Sequence, residues 1–312
     1  MAATDHKDAA YRQAAFAHLQ SLLAGNGLLT RDMMAVPFFL NGERCTLVDP
    51  RRGIHKPRHM RYLLSITTVV AAKGRRIWYA DQTSVHSEIY AGMSGVLYSF
   101  MGSDPDAPQN RWLSDAAELK TPIIYFLGIK PGLYNPIFPA FLTDWNGPSL
   151  SVRIVFSPRL GTVERQTYPA DENDRRYAMR VVKQRLHQFQ FREAVIDAYG
   201  GRCAISKLPE PRLLDAAHII RDADEELGHP IVPNGLPLSK IHHAAFDSNL
   251  LGIDADGIVH ISDRLLDIRD GPFLELGIKA ARGIRILDPT RPEDKPDRDR
   301  LDLRFQAFKR AA

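Results

Sequence analysis

The sequence predicts an α+β protein in two parts, a β-rich, barrel-like domain followed by a second domain in which a strand-like word and a turn-rich loop lead into a helix start. Three observations carry this. Short apolar runs parted by turn residues recur from about Val36 to Phe156, a polar stretch then gives way to a basic helical segment, and the last third sets a strand-like word, a turn-rich loop and a helix start in succession.

Taken in order, Ala15, Phe16, Leu19, Leu22 and Leu23 recur at helical spacing between Asp8 and Leu23, and Gly25-Asn26-Gly27 stops the pattern. The strand candidates are FFLNGERCTLV with an Asn-Gly turn, MRYLLSITTVV, RRIWYADQ, GVLYSFMG, PIIYFLGI and SLSVRIVF, and their regular spacing suggests a small barrel. Residues 157–173 are polar and turn-prone, which places a boundary there. From Arg175 to Tyr199, Tyr177, Val181, Val182, Leu186, Phe189 and Val195 share one side of a basic helix, or of two. The resulting division is an N-terminal helix over 1–30, a β-rich domain over 31–160, a linker over 161–174 and a C-terminal domain over 175–312, ending in a charge-mixed surface arm, RPEDKPDRDR.

Bulk properties narrow the class. With 44% apolar and 25% charged residues over 312 positions, the chain has the balance of a soluble globular protein of two domains. A net charge of +4 and an isoelectric point near 9.0 lean toward a polyanionic partner. Two distant cysteines, Cys45 and Cys203, suggest neither a disulfide framework nor a zinc ribbon, and Cys203 reads as a small buried hydrophobe. The N-terminal stretch lacks the apolar core of a signal peptide and no run reaches membrane-span length, so a cytoplasmic protein with no membrane partner is expected.

The informative words are LLDAAHII, PNGLPL and SKIHHAAFD. Phosphodiester cleavage needs a base to activate water, a cation to offset developing charge, and a scaffold that holds both in register. A histidine at a strand end (His218), an asparagine in the following loop (Asn234) and a histidine on the next helix (His243) meet those needs, with fifteen residues between the first two and eight between the last two. Asp247 lies four residues after His243, which puts both side chains on one helix face. His242 is a second candidate ligand, but neighbouring helix positions diverge by about 100°, so the spacing favours His243.

Over about residues 175–275 this pattern resembles the HNH, or ββα-metal, endonucleases, in particular those of bacterial restriction systems. The resemblance implies that His218 is the general base, that Asn234 pins the loop and orients that base, and that His243 with Asp247 holds a divalent cation, Mg²⁺ first and Mn²⁺ as an alternative. The family often carries a metal-binding aspartate or histidine directly before the base, where this chain has Ala217. Strand alternation puts Asp215 on the face of Ala217, which makes it the substitute that would reach the ion directly or through water.

More loosely, the β-rich half resembles the PUA-like or SRA-like modules that precede HNH domains in modification-dependent restriction enzymes. That implies double-stranded DNA carrying methylated or hydroxymethylated cytosine as substrate, antiviral defence as role, and a pocket for a flipped base, for which Tyr79, Asp81, Tyr98, Trp112 and Tyr125 are the candidates. The basic words at 51–61 and 73–76 are candidates for phosphate contacts. One HNH centre cuts one strand, so a homodimer is a natural expectation. Two rival readings stay open, a DNA-binding module with a vestigial nuclease core and a nuclease of relaxed specificity for single-stranded DNA or RNA.

Overall fold

Most of the described apolar runs of the first half fold into one sheet, and FFLNGERCTLV forms a separate hairpin. The computed structural model describes residues 2–23, 27–70, 81–158, 168–224 and 226–311, in two compact units, 1–184 and 185–312. In the first unit α1 (Ala2–Leu23) buries Tyr11, Ala15, Phe16 and Leu19 on one face. The same face buries Asp8 and Arg12, which is tolerable only because both are paired. Arg12 donates to the carbonyls of Leu63 and Pro122, and the Asp8 carboxylate accepts the N–H groups of Arg61 and Tyr62.

After β1 (Leu29–Thr30) and α2 (Arg31–Met34), β2 (Phe38–Leu40) and β3 (Glu43–Cys45) form the expected hairpin. Its turn residues Asn41 and Gly42 both take positive φ, 51° and 80°, as a two-residue hairpin requires. Then come β4 (Ile54–His55), β5 (Ser65–Thr68), α3 (Asp81–Tyr90), β6 (Val96–Ser99), α4 (Pro108–Glu118), β7 (Ile123–Lys130), β8 (Leu133–Asn146) and β9 (Ser151–Phe156). The sheet runs β4-β5-β7-β8-β9-β6, with β1 alongside β8, and only the β5–β7 pair is parallel.

The barrel expectation is met in part: among the described residues the sheet is a curled half-barrel, with β4 and β6 at its ends and not paired to each other. Its longest strand, β8, is buried without a break from Tyr134 to Leu142 and was not among the strand candidates. The expected strand RRIWYADQ lies outside the described residues as far as Ala80, and Asp81 opens α3.

The basic segment is one 27-residue helix, α5 (Glu172–Ala198), which leads from the first unit into the second. Tyr177, expected on its apolar side, is 51% exposed, whereas Phe191, Val195 and Ile196 are buried. The second unit continues with β10 (Leu214–His218), β11 (Gly235–Ser239), α6 (Lys240–Asp247), β12 (Leu251–Ile253), β13 (Val259–Ile261), α7 (Asp263–Asp267), α8 (Pro272–Gly277) and α9 (Arg298–Ala311). Leu214, Ala217, Leu236, Leu238, Phe246, Leu251 and Ile253 make its core.

The charged arm is better ordered than its composition suggests. Arg291 pairs with the buried Asp294, the Asp297 N–H bonds the Pro233 carbonyl, and α9 buries Leu301 and Phe308. Phe308 lies so close to Gly252 that a Cβ there would meet its ring at 2.6 Å. No helix among the described residues is long and apolar enough to cross a membrane.

Candidate active site

The site is built on a hairpin and the helix that follows it. β10 and β11 pair antiparallel with His218 opposite Gly235 and Asp215 opposite Leu238. α6 starts at once, capped by Ser239, whose Oγ accepts the His242 N–H at 3.3 Å. Gly235 is required by space and not by dihedral freedom, since a Cβ there would meet the Phe191 ring at 2.7 Å. Its bareness lets α5 press against the strand pair beside His218.

Asn234 is fully buried and closes the loop between the two strands. Its Oδ1 accepts the Ile220 N–H at 2.9 Å, while its Nδ2 donates to the carbonyls of Ile220 (3.0 Å) and His229 (3.1 Å). Its own carbonyl takes the Ile219 N–H at 2.9 Å. One side-chain amide thus satisfies both the N–H and the C=O of Ile220, two residues after His218, and only an amide both donates and accepts in this way.

The His218 ring stacks on Phe191, centroids 4.1 Å apart and planes at 21°. Its Nε2 is buried without a hydrogen-bond partner. Burial pushes its pKa below the ordinary imidazole value. The nearby charge of Asp222 raises it, that of His243 lowers it, and that of Asp247 raises it, and the net direction is down. A neutral imidazole at neutral pH is what a general base requires.

On α6, His243 stands between two carboxylates. Its Nδ1 is 3.7 Å from Asp215 Oδ2 and its Nε2 3.3 Å from Asp247 Oδ2. The strand residue offered as substitute for the absent ligand therefore does meet the helix histidine. Two carboxylates and an imidazole are a donor set suited to Mg²⁺ or Mn²⁺. Among the described residues, however, no three such groups converge on one point, because the carboxylates touch opposite edges of the ring. The set fits a divalent cation in the chemistry of its donors, not in their convergence.

His242 points the other way and is buried. Its Nε2 bonds the Gly277 carbonyl at 2.8 Å and its Nδ1 lies 3.6 Å from Cys203 Sγ. Cys203 is buried as expected, but it is not simply a hydrophobe. Its sulfur also accepts the N–H groups of Ser206 (3.4 Å) and Ser239 (3.3 Å). Burial raises its pKa, but the hydrogen bonds from His242, Ser206 and Ser239 outweigh this and bring it down to about 6.

In the first unit the described base-pocket candidates lie on separate elements. Tyr98 and Tyr125 are buried in the sheet, where Tyr125 stacks on Phe156 and donates its hydroxyl to Thr68 Oγ1 at 2.9 Å. Trp112 lies on α4 with the Lys56 ammonium 5.1 Å from its ring, Asp81 opens α3, and Tyr79 lies outside the described residues. A cavity of about 320 Å³ is lined instead by Arg31, Asp32, Asp49, Arg52, Thr67 and Tyr134, with others.

Sequence reasoning also missed Phe191, Arg221 and Arg304 around the nuclease site. The four-residue spacing of Phe191 and Val195 was the readable signal for the first; no local pattern marks the arginines.

Comparison with known proteins adds the following. Residues 203–254, which include Asp215, His218, Asn234, His243 and Asp247, match the HNH endonuclease family. The chain is similar to the solved structure of a "Modification dependent TagI restriction endonuclease", at 14% identity and a TM-score of 0.31, over 82% of this chain and 85% of that one. No curated protein sequence matches the chain. By the family match, and on the hairpin and helix just described, the chain carries an HNH endonuclease domain at residues 203–254.

Proposed function

We propose that this endonuclease hydrolyses the phosphodiesters of double-stranded DNA with His218 as general base, and that its first unit selects DNA marked by methylated or hydroxymethylated cytosine. The observation that carries the chemistry is the His218 imidazole, kept neutral by burial and within electrostatic reach of the His243 and Asp247 side chains. His218 takes a proton from the attacking water as the water oxygen bonds to phosphorus and the 3′ oxygen leaves. Asn234 fixes the backbone that follows His218 and so fixes the direction in which the ring presents its lone pair. HNH nucleases use a divalent metal; here Asp215, His243 and Asp247 would hold it, Mg²⁺ first, and it would supply charge neutralisation at the phosphate and the leaving oxygen.

Selection of modified DNA has separate support. The HNH site is built from a short hairpin and one helix, with little surface for reading bases, whereas the first unit offers a cavity of about 320 Å³ with arginine and aspartate at its wall. That volume is at the small end of ligand pockets, roughly 300–1,000 Å³. Its polar wall suits the hydrogen-bonding edge of a base. Cleavage compared on plain, methylated and hydroxymethylated duplexes tests this, and equal rates on all three would end it.

A nicking assay with Mg²⁺ or Mn²⁺ tests the chemistry. His218→Ala is expected to abolish cutting, and a variant that cuts as fast as the parent would overturn the assignment. The absence of a converged ligand set among the described residues, together with Ala217, favours one rival, a DNA-binding module without activity. Strand scission that a chelator stops would exclude that rival. Sedimentation of the protein with and without DNA tests the homodimer that cutting both strands would call for.

A further inference from the structure

Two arginines meet at the end of α6, and neither belongs to the motif. Arg304, from α9, donates to Asn249 Oδ1 at 2.7 Å and to the Phe246 carbonyl, and its guanidinium lies 4.7 Å from the centre of the Phe246 ring. It is half-buried, with both terminal nitrogens hydrogen-bonded. Arg221 follows His218 by three residues, in the loop that Asn234 closes. It is exposed and reaches the Asp247 carbonyl with one N–H, at 3.5 Å. A guanidinium carries five N–H donors, so most of those on Arg221 remain for another partner.

Two like charges placed together cost free energy unless something offsets them. Here the offsets are the carbonyl end of α6, which favours cations, and the Asp247 carboxylate. Arg304 registers both neighbours: burial, then the charge of Arg221, lowers its pKa, and Asp247 opposes this. The remaining donors of Arg221 stand exposed at the helix end that carries His243 and Asp247, three residues past His218.

We infer that Arg221 binds a phosphate of the DNA at the cleavage site, and that Arg304 is a positioning residue that holds the end of α6 and biases Arg221 toward the phosphate. The planar fork of a guanidinium matches two phosphate oxygens, which an ammonium does not. This rests on the nuclease reading of the same site. The competing explanation is that both arginines only cap α6, and the two make opposite forecasts.

The test uses the full chain. Duplex DNA binding is followed by fluorescence anisotropy across a salt series in chelator, in a His218→Ala background, and cleavage is followed separately in the parent background with Mn²⁺. R221A is expected to lower kcat/KM by about tenfold and to reduce the slope of log affinity against log salt by about one, as loss of one phosphate contact does. Its melting temperature should stay near the parent's. R221K should restore the slope but not the rate. R304A should lower both the melting temperature and the slope, and R221A/R304A should have the same slope as R221A alone.

An R221A protein with unchanged slope and unchanged kcat/KM, or one that only melts lower, would overturn the inference in favour of the cap. If His218→Ala still cuts, the base assignment falls while the slope still decides Arg221. If His218→Ala is dead and R221A behaves as the parent, the arginine assignment alone falls. A parent chain that binds no duplex DNA would refute both.

Discussion

The ring of Phe191 lies against the imidazole of His218 at a centroid separation of 4.1 Å, and this stack covers one face of the imidazole. Burial disfavours the imidazolium, so the folded pKa lies below the ordinary value of 6.5. Cleavage should therefore rise with pH along a limb whose midpoint falls below 6.5 and be flat above it. Phe191→Leu admits water to the ring while keeping an apolar side chain; its limb should move up toward 6.5 and its rate should drop. A pH–rate profile of parent and variant at saturating Mn²⁺ checks both, and an unmoved limb would count against the stack as the cause.

Asn234→Ala removes both halves of the clip and leaves buried backbone groups of Ile220 and His229 unpaired. A loss of about 2–3 kcal/mol is expected from such groups. Asn234→Asp is the sharper test, because a carboxylate can accept from Ile220 but cannot donate to the two carbonyls. It should be as inactive as the alanine variant, with denaturant melts showing that either one remains folded.

At Gly235 the prediction is steric. Alanine there meets the Phe191 and Val195 side chains, and overpacking of this kind costs about 1–3 kcal/mol. Because Gly235 faces His218 across the strand pair, activity per folded molecule should fall with the melting temperature. Retention of full activity would show that the approach of α5 is not coupled to the base.

Cys203 separates stability from chemistry. Its sulfur takes hydrogen bonds from Ser206 and Ser239 and faces His242, on the side of α6 away from His243. Cys203→Ala should cost about 1–3 kcal/mol through donors left without an acceptor, yet cut DNA at near the parent rate per folded molecule. Thermal melts paired with nicking rates decide this.

The HNH segment was readable because it is local: His218, Asn234, His243 and Asp247 fall within one hairpin and one helix, and the i, i+4 spacing of His243 and Asp247 brings their side chains to 3.3 Å. Strand alternation put Asp215 on the face of Ala217, and its contact with His243 is a finding of the structure. What escaped was set by contacts between distant segments. β8 carries Pro136 and Pro139, which argue against a central strand, and only its pairing with β7 and β9 reveals it. The aromatic residues offered as a base pocket are of a type that suits a core equally well, and Tyr98 and Tyr125 are in the core. α9 has Leu301 and Phe308 as its buried anchors, seven residues apart among charges, too sparse a pattern to mark a packed helix.

That helix and the turn before it grip the site from behind. Asp297 holds Pro233, Arg300 donates to the Leu227 carbonyl, and Arg304 holds the end of α6. In order of synthesis the motif residues leave the ribosome first and their braces follow. A nascent chain thus carries the proposed base and ligand residues before it carries the helix that braces the loop and helix bearing them.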